Sequence, residues 1–181
     1  MVPFRAAAAT LCTTTTYDPR MSQDLLPRPA PSGPRPEEPL RVVEAFLHCL
    51  ADSDLQGAMS LLAEDVTYVN VGLPTIRGRD EVTRALSALE RPAAGFEVYL
   101  HATSSDGPVV LTERTDVITF GTFRAQFWVW GRFEVHDGEI TLWRDSFDFL
   151  DITRSVVRGL AAMALPSLRP SPPGPGDPPG R

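Results

Sequence analysis

The spacing of apolar residues in this chain changes from the period of a helix to the period of a strand. Leu40, Val43, Phe46, Leu47 and Leu50 recur at intervals of three and four residues, which predicts an amphipathic helix. From residue 96 onward the pattern is instead that of long strands joined by short turns. Because helices come first and strands follow, the order favours an α+β fold with a curved, mainly antiparallel sheet over a parallel α/β fold.

The predicted elements have readable limits. Two further helical patterns lie around residues 55–62 and 80–89, and Asp137-Gly138 is a strong hairpin signal. The expected strands are Val66–Val71, Phe96–Ala102, Val109–Phe120, Thr122–Val135 and Glu139–Phe149. A closing helix over residues 151–164 is expected to bury Ile152, Val156, Leu160 and Met163. Helices packed into the concave side of such a sheet would form a cone that encloses a deep apolar pocket.

Proline residues mark the limits of the predicted folded domain. Of the 18 prolines, seven fall in residues 19–39 and seven in residues 166–181. Both stretches lack apolar periodicity and would bury too little surface to offset the entropy of ordering them. We therefore expect a disordered, proline-rich leader over residues 1–39, a folded domain over residues 40–165 and a disordered, proline-rich tail over residues 166–181.

Charge and composition narrow the classes of function. The net charge of −6 argues against a nucleic-acid-binding protein, which needs a basic face. No apolar run approaches the roughly 18 residues that a membrane-spanning helix requires. The chain has two cysteines and no CxxC pair, and its three histidines are scattered, so no metal site is expected. Few cysteines also fit a cytoplasmic location.

Strand alternation gathers polar residues on faces that also carry apolar ones. Arg114 and Asp116 share one face of their strand, and Asp145 shares a face with Trp143 and Phe147. A carboxylate among aromatic side chains is costly unless it is paired, and the planar fork of an arginine can bridge two carboxylates. The pattern therefore predicts an Asp–Arg–Asp cluster. A structural salt-bridge network, or charges on a solvated face, would explain the same alternation.

Three short motifs carry a family resemblance. They are Tyr68-Val69-Asn70, the segment TERTD over residues 112–116 and the segment WRDSFD over residues 143–148. Together, in this order and spacing, they resemble the limonene epoxide hydrolase family over roughly residues 40–165. The resemblance implies a cone of the nuclear-transport-factor-2-like type. One departure is Ser146, where the family usually has tyrosine, and alternation turns this side chain away from the pocket.

The resemblance also implies a role for each residue of the cluster. Asp145 would be the general base that deprotonates water, and Tyr68 and Asn70 would hold that water. Asp116 would be the general acid that protonates the epoxide oxygen, and Arg114 would link the two carboxyl groups. Water would then open the epoxide in one step to a vicinal diol, without a covalent enzyme intermediate. Two carboxyls that share an apolar site have pKa values that move apart, so that one can be protonated as the acid while the other is ionised as the base.

The implied substrate is a small lipophilic epoxide, such as a terpene, fatty or sterol epoxide, with water as the second reactant and no cofactor. Trp143, Phe147, Phe127 and Val129 are candidates to line the pocket, although plain core packing explains Phe127 and Val129 equally well. Similar proteins are often homodimers through the outer face of the sheet. The residues expected at such an interface are Trp128, Trp130 and Arg132.

Two other functions fit a cone of this kind. One is an enzyme that resembles ketosteroid isomerases or polyketide cyclases, whose enolate chemistry needs a lone base and an oxyanion donor. That chemistry does not call for two aspartates bridged by arginine. The other is a non-catalytic protein that binds an apolar ligand, whose binding would survive removal of the polar cluster.

Overall fold

The computed structural model describes residues 37–173. The predictions for residues 1–36 and 174–181 lie outside the described residues. Within the described range the chain forms four α-helices and six strands, which confirms the α+β prediction. The helices are α1 (Glu37–Ala51), α2 (Leu55–Ser60), α3 (Arg79–Leu86) and α4 (Phe149–Ala164). The strands are β1 (Leu62–Asn70), β2 (Ile76–Arg77), β3 (Ala94–Asp106), β4 (Val109–Phe120), β5 (Phe123–His136) and β6 (Glu139–Ser146). Two 3₁₀ helices follow α3 and α4, at Ser87–Glu90 and Pro166–Leu168.

One mixed sheet contains all six strands, in the order β2-β1-β6-β5-β4-β3. Four of the five strand pairs are antiparallel, and β1 pairs in parallel with β6. The hairpin between β5 and β6 turns at Asp137 and Gly138, whose φ angles of 52° and 81° fit a tight turn with both central residues in the left-handed region. The sheet is therefore mainly antiparallel, as predicted, but the first long strand lies beside the last.

The core lies between α1 and the inner face of the sheet. The apolar stripe that predicts α1 is buried, with Val43 and Phe46 fully covered. Phe46 meets Trp143 of β6 edge-on at a ring distance of 4.9 Å. None of the helices in residues 37–173 has the length and apolar content needed to span a bilayer.

The face by which α4 packs differs from the prediction. Its buried residues are Ser155, Gly159 and Ala162, whereas Leu160 and Met163 are 57% and 51% exposed. Val156, also predicted to lie inside, is exposed, and Ile152 is half-buried. The prediction that the apolar stripe of α4 faces the core is therefore wrong.

The reason is that α4 covers an open strand edge. The ladder between β5 and β6 begins at Trp130 and Ser146, so residues 123–129 of β5 extend beyond the end of β6. Ser155 Oγ accepts a hydrogen bond from the backbone N–H of Gln126 at 2.6 Å, and Asp151 Oδ2 accepts one from that of Trp128 at 3.1 Å. Four helical residues rise about 6 Å, close to the rise of two strand residues, so helix and edge stay in step.

Candidate active site

The parallel pairing of β1 with β6 brings the first and the last predicted site residues together. Tyr68 pairs with Trp143 and Asn70 pairs with Asp145 in this register. The rings of Tyr68 and Trp143 are stacked, with centroids 3.9 Å apart. Burial raises the pKa of the Tyr68 phenol above its usual range, and the charge of Asp145 raises it further. The phenol therefore keeps its proton and remains a hydrogen-bond donor.

Arg114 is the centre of the cluster and is fully buried. Its Nε and Nη2 donate to Oδ1 and Oδ2 of Asp116 at 2.9 and 3.2 Å. Nη2 also donates to Oδ2 of Asp145 at 2.7 Å, and Nη1 donates to the hydroxyl of Thr112 at 3.1 Å. The guanidinium of Arg114 thus joins the carboxylate of Asp116, two residues away in sequence, to that of Asp145, 31 residues away.

The two oxygens of Asp145 have different surroundings. Oδ2 accepts from Arg114 and also from the indole N–H of Trp143 at 2.8 Å. Oδ1 is buried and receives no hydrogen bond from residues 37–173. A buried carboxylate oxygen without a donor is energetically costly and basic, so it is the atom of this cluster best placed to accept a proton.

The two carboxyl groups are not equivalent electrostatically. Burial and, to a smaller extent, the charge of Asp145 raise the pKa of Asp116 to about 6 against the opposing effect of Arg114. Burial also raises the pKa of Asp145, against the smaller lowering effects of Arg114 and of the hydrogen bond from Trp143. Arg114 itself stays charged because the two aspartates raise its pKa above the usual range, against the effect of its burial. Both carboxyls thus have raised pKa values, and they differ in that Asp145 accepts from Trp143 as well as from Arg114.

Comparisons with known proteins show the family of this chain. Residues 37–158 match the sequence profile of the limonene-1,2-epoxide hydrolase catalytic domain. The chain belongs to the limonene-1,2-epoxide hydrolase family. It is similar to the epoxide hydrolase EphG of Mycobacterium tuberculosis, with 46% identity over 127 residues that cover 70% of this chain and 85% of EphG. The prediction of an epoxide hydrolase is thereby confirmed at the level of the family.

Solved structures show the fold of this family member. An epoxide hydrolase of M. tuberculosis described as limonene-epoxide-hydrolase-like superposes with a TM-score of 0.72 at 44% identity, over 78% of this chain and 100% of that one. A putative polyketide cyclase of Xanthomonas campestris superposes with a TM-score of 0.61 at 17% identity, over 67% and 98%. A protein of Burkholderia pseudomallei described as NTF2-like has a TM-score of 0.58 at 17% identity, over 66% and 97%. The predicted nuclear-transport-factor-2-like fold is thus confirmed.

Gly131 is a site residue that the sequence reasoning missed. It lies on β5 between Thr112 of β4 and Asp145 of β6, in one row of paired residues. A Cβ atom at this position would lie 2.3 Å from Arg114 Nη1 and 2.4 Å from Thr112 Oγ1. The absence of a side chain therefore lets the guanidinium cross β5 and reach Asp145. A glycine inside a predicted strand is the signal that could have pointed to this close approach.

The residues predicted to line the pocket fall into two groups. Phe127, opposite Asp116 in the β4–β5 ladder, is half-buried and meets Phe147 edge-on at a ring distance of 6.5 Å. Phe147 in turn meets Phe149 at 5.4 Å. Trp143 and Val129 are buried in the core beside the cluster. The partly exposed aromatic side chains thus lie beside the cluster, with Phe127 opposite Asp116 and Phe147 two residues after Asp145.

Two described cavities lie away from the cluster. One of about 230 Å³ is lined mainly by polar side chains of β4, β5 and α4, including Thr115, Gln126 and Arg154. The other, of about 320 Å³, surrounds the start of α3 near Gly78. Asp116 lines neither of these two cavities, and Arg114, Asp116 and Asp145 are all buried in this structure.

The predicted dimer surface lies on the opposite side of the sheet. Trp128 and Trp130 alternate with the buried residues of β5, and their rings meet edge-on at 5.2 Å. Trp130 is 56% exposed, and Arg132 forms an ion pair with Glu134 of the same strand. The homodimer stays a prediction.

Proposed function

We propose that this chain hydrates a lipophilic epoxide in one step to a vicinal diol, with Asp145 as general base and Asp116 as general acid. The observation that carries the proposal is the buried Arg114 fork. It holds both carboxylates at hydrogen-bonding distance and leaves Oδ1 of Asp145 without a donor among residues 37–173. Membership of the epoxide hydrolase family supports the same chemistry.

The proposed step transfers two protons, forms one carbon–oxygen bond and breaks another. Oδ1 of Asp145 takes a proton from water while the water oxygen forms a bond to an epoxide carbon. The carbon–oxygen bond of the ring breaks, and the departing oxygen takes the proton of Asp116. The step ends with Asp145 protonated and Asp116 ionised, so a proton returns from one to the other before the next turnover. General acid and base catalysis contribute ~10²–10⁴-fold each.

Tyr68 and Asn70 are proposed to hold the attacking water. Both residues are on β1, directly beside Trp143 and Asp145 in the parallel ladder. Tyr68 keeps its phenolic proton because burial raises its pKa, and Asn70 supplies both a donor and an acceptor. A water held by these groups would face Oδ1 of Asp145. Holding the water in place would remove much of the entropic cost of bringing it to the epoxide.

The aromatic side chains beside the cluster support the proposed substrate class. Three phenylalanines there are partly exposed: the ring of Phe127 contacts that of Phe147, which in turn contacts that of Phe149. Partly exposed aromatic surface next to buried carboxylates favours a substrate with a substantial apolar body, of the terpene, fatty or sterol type. The proposed division is therefore an apolar body held by aromatic rings and an epoxide oxygen directed at Asp116.

The enolate chemistry of the alternative enzymes is less well supported. It requires a lone base and a separate oxyanion donor, whereas both carboxylates here share one arginine. Structural neighbours described as a putative polyketide cyclase and a putative ketosteroid isomerase are 17% and 21% identical to this chain. Similarity at this level shows a shared fold and not a shared activity.

Labelled water tests the proposed step directly. The protein is incubated in ¹⁸O-water with an excess of enzyme over limonene oxide, styrene oxide or a fatty acid epoxide, so that each active site turns over once. We expect one ¹⁸O atom in the diol, detected by mass spectrometry, because water attacks the ring directly. An unlabelled diol would instead reveal an oxygen from the enzyme and a covalent intermediate. If none of the epoxides gave diol but the protein still bound them, the alternative of a non-catalytic protein that binds an apolar ligand would be favoured.

The pH dependence of the reaction is expected to reflect the two carboxyls. Because the pKa of Asp116 is about 6 and the acid must hold its proton, kcat/KM should fall about tenfold per pH unit above this value. Activity should also fall at low pH as Asp145 becomes protonated, with limits that belong to the coupled pair. The measurement is kcat/KM from pH 4 to pH 9.

A histidine would give a similar alkaline limit, since histidine ordinarily titrates in this range. His101 on β3, which contacts Thr115 at 2.8 Å, provides the control. The profile should be unchanged in His101→Asn. A limit that moves in this variant, or activity that stays constant up to pH 9, would contradict the assignment of Asp116 as the acid.

A further inference from the structure

We propose that Trp143 is a positioning residue that selects Oδ1 of Asp145 as the basic oxygen. This inference rests on the proposed function and adds a residue to it. The indole N–H donates to Oδ2 at 2.8 Å, and Arg114 donates to the same oxygen at 2.7 Å. With Oδ2 occupied twice and Oδ1 not at all among residues 37–173, the carboxylate has one oxygen for anchoring and one for chemistry.

Each aspartate accepts a hydrogen bond from a side chain of its own strand. Arg114 donates to Asp116 and Trp143 donates to Asp145, and in each pair the donor lies two residues earlier on the same strand. Residues two apart on a strand project from one face, so each donor reaches its carboxylate without crossing a neighbouring strand. Arg114 then adds the link between the strands. Asp145 therefore has a donor of its own besides the shared arginine, whereas within residues 37–173 Asp116 accepts from Arg114 alone.

The indole ring is held tightly enough to fix the direction of its N–H. It is stacked on Tyr68 at 3.9 Å with an interplanar angle of 24° and lies nearly parallel to Phe133 at 6.4 Å. Phe46 of α1 meets it edge-on at 4.9 Å. Rotation of the indole would disturb all three contacts. The packing of the indole in the core therefore fixes the direction of the hydrogen bond to Asp145.

This hydrogen bond has a predictable electrostatic effect. A donor to the charged form of a carboxyl lowers its pKa, and Trp143 acts in this direction on Asp145 against the effect of burial. The hydrogen bond thus helps Asp145 to remain ionised at a pH where Asp116 holds a proton. Its removal should raise the pKa of Asp145, and the acidic limit of kcat/KM should move to higher pH.

The test removes the N–H while it keeps an aromatic ring at position 143. Trp143→Phe is the simple variant, and 3-benzothienylalanine at position 143 replaces the N–H by sulfur with little change of shape. We expect kcat to fall ~10-fold and the acidic limit to rise by about one pH unit in both, with KM changed less than about twofold. Phe46→Leu is the control for loosened packing, because it removes one ring contact of Trp143 while the contacts with Tyr68 and Phe133 and the N–H donor itself remain. It should lower the melting temperature and leave the acidic limit in place.

A spectroscopic measurement separates this inference from the proposed function. The indole N–H signal of Trp143 in ¹H–¹⁵N spectra, assigned with Trp128→Phe and Trp130→Phe, should move with pH as Asp145 titrates. It should become independent of that titration in Asp145→Asn, whether or not an epoxide is hydrated. An indole signal that does not follow Asp145, or an acidic limit unchanged in the benzothienyl variant, would overturn the role of Trp143. Failure of the wild type to make diol would overturn the hydrolase mechanism instead.

Discussion

Asp145→Asn is expected to lower kcat/KM for epoxide hydration by ~10³-fold or more while the protein stays folded. The amide can still accept hydrogen bonds from Arg114 and Trp143 through one oxygen, so the local geometry is retained. It cannot take a proton from water, however, and a general base contributes ~10²–10⁴-fold. Initial rates of diol formation measure the loss, and circular dichroism and thermal unfolding check the fold.

Asp116→Asn is expected to cause a loss of similar size, since the amide has no acidic proton to give to the ring oxygen. The double variant should be little worse than either single one, because acid and base act in one concerted step. The matched control is Asp148→Asn, three residues beyond the base. Asp148 is exposed and caps α4 by accepting from the N–H of Leu150 at 2.7 Å, and asparagine caps helices equally well. An Asp145→Asn variant within tenfold of the wild type would refute the base assignment.

Arg114→Gln is expected to destabilise the protein by about 3–5 kcal/mol at pH 8, the usual cost of removing one partner from a buried ion pair. The variant leaves Asp116 and Asp145 buried without their shared cation. Because Arg114 lowers the pKa of both carboxyls, its removal raises both further above the values of an unfolded chain. The folded variant therefore retains its protons more strongly, and its stability should be lost as pH rises through these raised pKa values.

The measurement is urea unfolding of wild type and variant at pH 5 and pH 8. The deficit should be clearly smaller at pH 5, where protonation removes the repulsion between the carboxyls. Arg132→Gln is the control, because its ion pair with Glu134 is partly exposed and is worth about 0–1 kcal/mol. A deficit of equal size at both pH values would mean that Arg114 contributes packing and not charge compensation.

The alternation of strand residues could be predicted well from the sequence. Arg114 and Asp116 share a buried face of β4, and Trp143 and Asp145 share one of β6, as expected. The Asp137-Gly138 turn also confirms the hairpin prediction. These features depend on neighbours in sequence, which periodicity reports directly. The register that sets Asn70 beside Asp145 depends on strands far apart in the chain, and here only the family motifs connected the two.

The face of α4 could not be predicted from its apolar stripe. Helical periodicity assumes that apolar residues pack inward, but α4 meets the edge of a strand, where unpaired N–H groups require acceptors. Asp151 and Ser155 supply them, and Gly159 allows close approach to Arg124 O, which a Cβ would meet at 2.5 Å. The four-residue spacing of these three residues is the signal that was missed.

The parallel pairing of β1 with β6 has a consequence for how activity is acquired. About 75 residues separate Asn70 from Asp145, so a long loop must close before these residues meet, and such closure is slow. The hairpins of β4, β5 and β6 can align the arginine and both acids from nearer parts of the chain. Under the proposed mechanism, a nascent or partly refolded molecule that lacks the β1 contact would hold both acids and the arginine without Tyr68 and Asn70 to position water, and it would not hydrate an epoxide.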